Sequence, residues 1–125
     1  MSQYVPLEKD EQKALTRWVE FNRGRWPDLE MYIHIPNEGK RSPRMGAELK
    51  EMGMKPGFPD VFIFTARHGM HGMAIEMKRT KGGTVSPEQA KWIARLDRQG
   101  YAACVCYGWE EAAKVITRYM EEREK

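Results

Sequence analysis

Long apolar runs are missing from this 125-residue chain, and none approaches the ~20 consecutive residues that a bilayer-crossing helix needs. Met1 to Val5 lack the apolar stretch of a secretion signal. These two absences lead us to expect a cytoplasmic protein, or one of the host cell's cytoplasm if a phage encodes it, with no membrane partner. Cysteine is scarce: Cys104 and Cys106 are the only two. On the strand read for that segment their side chains are expected to diverge to opposite faces, which argues against a disulfide or a zinc clip and leaves them as small buried apolar groups. Charge of one sign is low as well, since 21 basic residues against 18 acidic ones leave +3. Bulk charge therefore does not identify a polyanionic partner. Repeats, linkers and low-complexity tracts are absent. At this length we expect a single domain over residues 1–125, its core spanning about 8–120 and burying roughly two-thirds of the unfolded surface.

The segment from Gly57 to Lys78 is the most informative part of what remains. Asp60 to Thr65 and Met73 to Lys78 are short, rich in β-branched, aromatic or other apolar residues, and separated by Gly and His punctuation from Arg67 to Gly72. Two adjacent antiparallel strands follow. Successive side chains on a strand alternate, so Glu76 and Lys78 share one face while Ile75 and Met77 take the other. A Glu and a Lys inside so apolar a run require compensation, because an unpaired buried charge costs several kcal/mol or shifts to its neutral form, roughly speaking. A divalent cation between Asp60 and Glu76 would supply it, since hard Mg²⁺ or Mn²⁺ takes carboxylate and water oxygens. Such a metal stabilises charge developing on a phosphate and acidifies a bound water, with a neighbouring Lys to position the nucleophile. The plainer alternative is a surface Glu–Lys pair on a half-exposed strand.

Around this hairpin the spacing predicts an α/β arrangement. A helix is read from Leu7 to Arg23, with Glu11 on the same stripe as Ala14, Leu15 and Trp18 and hence turned inward. A strand is read from Leu29 to Ile35, followed by a turn at Asn37-Glu38-Gly39. Met31, Met73 and Met77 are expected to fill the core, and His34 is read as structural. Ser42-Pro43 starts and Gly53 stops a short helix, a candidate substrate lid. Ser86-Pro87-Glu88-Gln89 opens another helix, in which Gln89 either closes a capping box or reaches the acids. Tyr101 to Tyr107 reads as a strand and Glu110 to Glu122 as the last helix. The resulting expectation is a mixed central sheet flanked by helices, with the hairpin at its centre. Basic residues gather at Lys40, Arg41, Arg44, Lys50 and Lys55, and again at Arg79 and Lys81. They are candidate phosphate contacts, against the alternative of a solvated helix face. His68 and His71, in the hairpin loop, are read as solvated, against the alternative of DNA contact at a loop tip near the site.

Gly53-Met54-Lys55-Pro56-Gly57-Phe58-Pro59-Asp60, Glu76-Met77-Lys78, Gly82 and Ser86-Pro87-Glu88-Gln89, together with Glu11-Gln12 on the first helix, resemble the VRR-NUC family of the PD-(D/E)XK nuclease superfamily. The resemblance covers about Glu8 to Met120. It implies a restriction-endonuclease-like α/β fold and a metal-dependent DNA nuclease of the free-standing kind. It further implies Asp60 and Glu76 as ligands of Mg²⁺ or Mn²⁺, the backbone carbonyl of Met77 as another, Glu11 as a further acid, Lys78 as the residue activating water, and Gln89 as an assistant.

A minimal chain has little surface for reading base sequence, so shape recognition through phosphates is expected. The short members of the family look like junction-resolving enzymes, which implies branched DNA as partner and a homodimer, because symmetric cutting of a four-way junction needs two active sites. Flap or nick processing, a non-catalytic DNA-binding module of the same fold, and a sequence-specific restriction enzyme are the alternatives.

Overall fold

The computed structural model describes residues 4–36 and 42–121. Among the described residues the expected elements map onto four α-helices and one sheet: α1 (Glu8–Phe21), a 3-10 turn (Pro27–Met31), β1 (Tyr32–His34), α2 (Pro43–Glu51), β2 (Val61–Ile63), β3 (Met73–Lys78), α3 (Pro87–Arg98), β4 (Ala102–Tyr107) and α4 (Trp109–Met120).

The sheet runs β1-β2-β3-β4. Its first three strands pair antiparallel, with Val61 opposite Ile75, whereas β3 and β4 pair parallel, joined by α3 as a crossover. The sheet is therefore mixed, with the β2–β3 hairpin in the middle. One face packs Val61, Ile63, Met73, Ile75 and Met77 against Leu15 and Val19 of α1 and Ile116 and Met120 of α4. On the other, Phe62 and Ala74 meet Leu96 of α3. Alternation along β3 thus assigns its odd positions to one layer and its even positions to the other. All six β3 residues are buried, Glu76 and Lys78 included.

Several expectations need correction. Leu29 to Met31 do not extend the first strand: Pro27 fixes a 3-10 turn instead, and Met31 is left 45% exposed rather than in the core. The second strand is shorter than Asp60 to Thr65 and spans Val61–Ile63: the Phe64 N–H still donates to the carbonyl of Met31 opposite it, but Met31 already belongs to the 3-10 turn. Cys104 and Cys106 do not diverge. Residues two apart on a strand share a face, and their sulfurs lie 3.8 Å apart as free thiols. The contact lowers the titration point of Cys104, while the same contact and burial raise that of Cys106. The turn at Asn37-Glu38-Gly39, along with Lys40 and Arg41, lies outside the described residues. Among the described residues no helix is long and apolar enough to cross a membrane.

Candidate active site

Asp60 stands immediately before β2, and the β2–β3 register extended by one residue places it opposite Glu76. Its side chain closes the ladder there, with Oδ2 accepting the Met77 N–H at 2.8 Å. Its backbone is fixed from the other side, where the carbonyl accepts the Ile35 N–H at 2.7 Å and lies 3.0 Å from His34 Nδ1. His34 is thus structural, as its position on a strand suggested, although the backbone it holds belongs to the central acid.

Glu76 is fully buried, and Asp60 and Lys78 are only 5% and 6% exposed. Lys78 Nζ lies 3.5 Å from Glu76 Oε2 and 4.0 Å from Glu8 Oε2. The half-exposed surface pair is excluded by this burial. Gln89 resolves its two competing roles by performing both. Ser86 Oγ accepts the Gln89 N–H at 3.1 Å and Gln89 Oε1 accepts the Ser86 N–H at 2.9 Å, which completes the capping box. With Oε1 committed to a donor, the amide nitrogen must face the other way, and Nε2 donates to Glu76 Oε2 at 2.8 Å.

A glycine makes this approach possible. Gly57 has φ +84°, and a Cβ there would sit 2.7 Å from the Glu88 carbonyl carbon and 2.8 Å from the Gln89 nitrogen. The loop leading to Asp60 can therefore lie directly on the first turn of α3. This is the physical content of the Gly-x-Pro-Asp spacing.

Glu11 is buried and inward, as its stripe predicted, but it is not gathered with Asp60 and Glu76. Its Oε1 accepts the Trp109 N–H at 2.8 Å, satisfying an otherwise orphaned donor at the start of α4. Gly108, the residue preceding that helix, has no side chain to do so. The acid that α1 brings to Lys78 is Glu8, a residue the sequence reading passed over. Among the described residues no cluster of three or more His, Cys, Asp and Glu side chains is arranged to hold a metal. The oxygen donors at hand are the Asp60 and Glu76 carboxylates and the backbone at Met77. That set suits a hard dication that completes its shell with water or phosphate oxygens.

The candidate phosphate contacts separate into groups. Arg44, Lys50 and Lys55 are exposed, and Lys50 lines a cavity of ≈ 670 Å³ between α2 and the start of α3 that Gln89 also borders. The helix α2 buries none of its own residues. Lys81 is exposed. Arg79 is engaged otherwise, because its guanidinium donates to the Val5 and Pro6 carbonyls at 2.8 and 3.0 Å and straps the N-terminal segment down. His68 and His71 lie at the other end of the hairpin. Their loop precedes Met73, whereas Glu76 and Lys78 end β3, a separation of roughly 10–16 Å along the strand. His68 Nε2 instead lies 2.8 Å from the Tyr119 carbonyl oxygen.

Fold and site together define a restriction-endonuclease-like α/β protein, with a mixed four-stranded sheet whose central hairpin carries the acid–acid–lysine set. The VRR-NUC domain family matches residues 7–110, and the chain belongs to that family, a family of nucleases. A solved structure described as a VRR_NUC domain protein is similar at 28% identity, with a TM-score of 0.80, over 97% of this chain and 95% of that one. Curated proteins give no match.

Proposed function

We propose that this protein is a Mg²⁺- or Mn²⁺-dependent DNA endonuclease that hydrolyses phosphodiester bonds. The observation that carries the reading is the burial of Asp60, Glu76 and Lys78 at adjoining strand ends, with Lys78 Nζ 3.5 Å from Glu76 and the Gln89 amide fixed on the same carboxylate. A fold needing only stability has no use for so many charged groups in its central strand, since apolar residues of like volume serve as well or better.

Asp60 and Glu76, with the Met77 carbonyl, would hold the dication. When bound, the metal supplies charge stabilisation to the phosphate and lowers the pKa of an attacking water. The chain's own residues do the rest. The Met77 N–H fixes one Asp60 oxygen and so orients the other. Gln89 holds the Glu76 carboxylate in one rotamer, leaving less to reorganise during reaction. Lys78, whose ammonium lies near both Glu8 and Glu76, would orient the water or neutralise charge on the phosphate oxygens.

The finer reading is resolution of four-way junctions by a homodimer acting in the cytoplasm. It is supported by the exposed cations Arg44, Lys50, Lys55 and Lys81, which suit contacts to phosphate, and contacts of that kind follow the shape of the DNA and carry no base sequence. The test is incubation of end-labelled four-way junction, flap, nicked and linear duplex DNA with the protein at several Mg²⁺ and Mn²⁺ concentrations. Paired symmetric cuts in the junction support resolution; cutting of flaps or nicks alone supports the processing alternative. Sedimentation adds a second check, as a monomer at micromolar concentration contradicts junction resolution.

A further inference from the structure

Beyond the site residues, α1 carries a row of cations. Lys9, Lys13 and Arg17 stand four residues apart and therefore share one stripe, each step rising about 6 Å along the axis. All three are exposed, and none forms an ion pair among the described residues. A solvated helix face would turn such a row away from the sheet. Here the three residues line one groove of ≈ 740 Å³ with Asp60, Met77 and His34.

The wall between the cations and the strands is neutral and held in place. Tyr32 Oη lies 2.8 Å from both Gln12 Nε2 and Thr16 Oγ1, and Gln12 and Thr16 line the groove between the charged positions. The acid in the groove from α1 is Glu8, which sits at the end next to Lys78. The groove is thus acidic where a metal would bind and basic along the rest of α1.

We infer that the Lys9–Lys13–Arg17 stripe is a phosphate track, which holds the DNA backbone flanking the scissile phosphate and leads it to Asp60. The inference rests on the nuclease reading and adds the surface on which the substrate lies. A periodic row of cations opening onto the catalytic acid fits a polyanionic strand better than a compact anion, which one or two of these side chains would satisfy. The contacts are to phosphate, so they contribute affinity and register without sequence preference.

The test compares three proteins made in a Lys78→Ala background, so that DNA is bound and not consumed. They are the parent, a Lys9→Ala/Lys13→Ala/Arg17→Ala variant, and a Lys114→Ala/Arg118→Ala control that removes exposed cations from α4. Fluorescence anisotropy with labelled duplex and four-way junction is recorded across a salt series, after circular dichroism shows that each variant folds. The track predicts at least about tenfold weaker binding for the triple variant at moderate salt. It also predicts a log K against log[salt] slope shallower by roughly 2–3, from about 0.9 per duplex phosphate contact. The control should match the parent. Affinity and slope unchanged in the triple variant, or reduced equally in the control, overturn the track. Cleavage by the otherwise wild-type protein is followed in parallel. If it is absent in Mg²⁺ and Mn²⁺ while the triple variant still binds more weakly, the nuclease reading fails and the track stands as a DNA-binding surface; if the parent binds no DNA, both fall.

Discussion

The side-chain amide of Gln89 joins a helix cap to a central carboxylate: its Oε1 accepts the Ser86 N–H at 2.9 Å while its Nε2 donates to Glu76 Oε2 at 2.8 Å. On the proposed function, stability and cleavage consequently depend on one residue. Gln89→Ala should lose about 1 kcal/mol with the cap, a few degrees in melting temperature. Cleavage should fall further than that, by about 10–100-fold in kcat. Gln89→Glu keeps an oxygen for the Ser86 N–H but sets a second carboxylate against Glu76. It should therefore be worse in kcat than in melting temperature. Parallel losses in both quantities for both variants would reduce Gln89 to a cap.

Gly57 sets the distance between the Asp60 loop and α3. Gly57→Ala meets backbone at 2.7 Å and a φ of +84°, and strain of this kind costs on the order of 1–3 kcal/mol. Gly53→Ala is the control, because its φ of +103° is also unfavourable but nothing lies within 4 Å of its would-be Cβ. Chemical denaturation should rank Gly57→Ala clearly below Gly53→Ala, with the larger loss of cleavage in the same variant.

Glu11 and Glu8 are predicted to exchange the roles that position on the first helix alone suggests. Glu11→Ala leaves the Trp109 N–H without its acceptor, a loss of about 1–3 kcal/mol, and should leave the Mn²⁺ concentration for half-maximal cleavage unchanged. Glu8→Gln should barely alter stability, since its distance to Lys78 is 4.0 Å and it remains partly exposed. It should lower kcat instead, and a Mn²⁺ titration of cleavage beside thermal melts separates the two.

Alkaline pH should unfold the protein partly through Tyr32. Burial raises its hydroxyl above the ordinary value of 10.0, against the opposing pull of hydrogen bonds with Thr16 and Gln12. The folded state therefore holds this proton more tightly than the unfolded chain. Its contribution is complete below pH about 10 and is lost as pH rises through the folded-state value. Burial moves Tyr119 in the same direction. Melting temperature should fall above pH about 10, and Tyr32→Phe should flatten that fall.

The hairpin, its antiparallel pairing and the inward turn of Glu11 were legible because period-two and period-3.6 patterns depend only on local backbone geometry. So were the Met73–Lys78 strand and the Ser86 cap, whose signals are short and strong. The destination of a buried side chain was not. Glu11 shares a stripe with Leu15, yet which neighbour meets its carboxylate depends on where α4 begins, 98 residues away. Glu8 occupies a first-turn position where acids are common for dipole reasons, and nothing local shows Lys78 reaching toward it. The proposed track on α1 has its own signal in the sequence, the four-residue recurrence at Lys9, Lys13 and Arg17 beside the apolar stripe. Cys104 and Cys106 are a plainer case, because strand alternation itself places them on one face.

The most direct test of the central claim is cleavage of an end-labelled four-way junction during a Mn²⁺ titration, by the wild type, Asp60→Asn, Glu76→Gln and Lys78→Ala, each shown to be folded. The account predicts cleavage that requires the metal and is abolished by chelator. It also predicts a fall of about a thousandfold or more in every variant, with DNA binding retained by Lys78→Ala. Cleavage that persists in chelator, or that survives loss of either carboxylate, would contradict it.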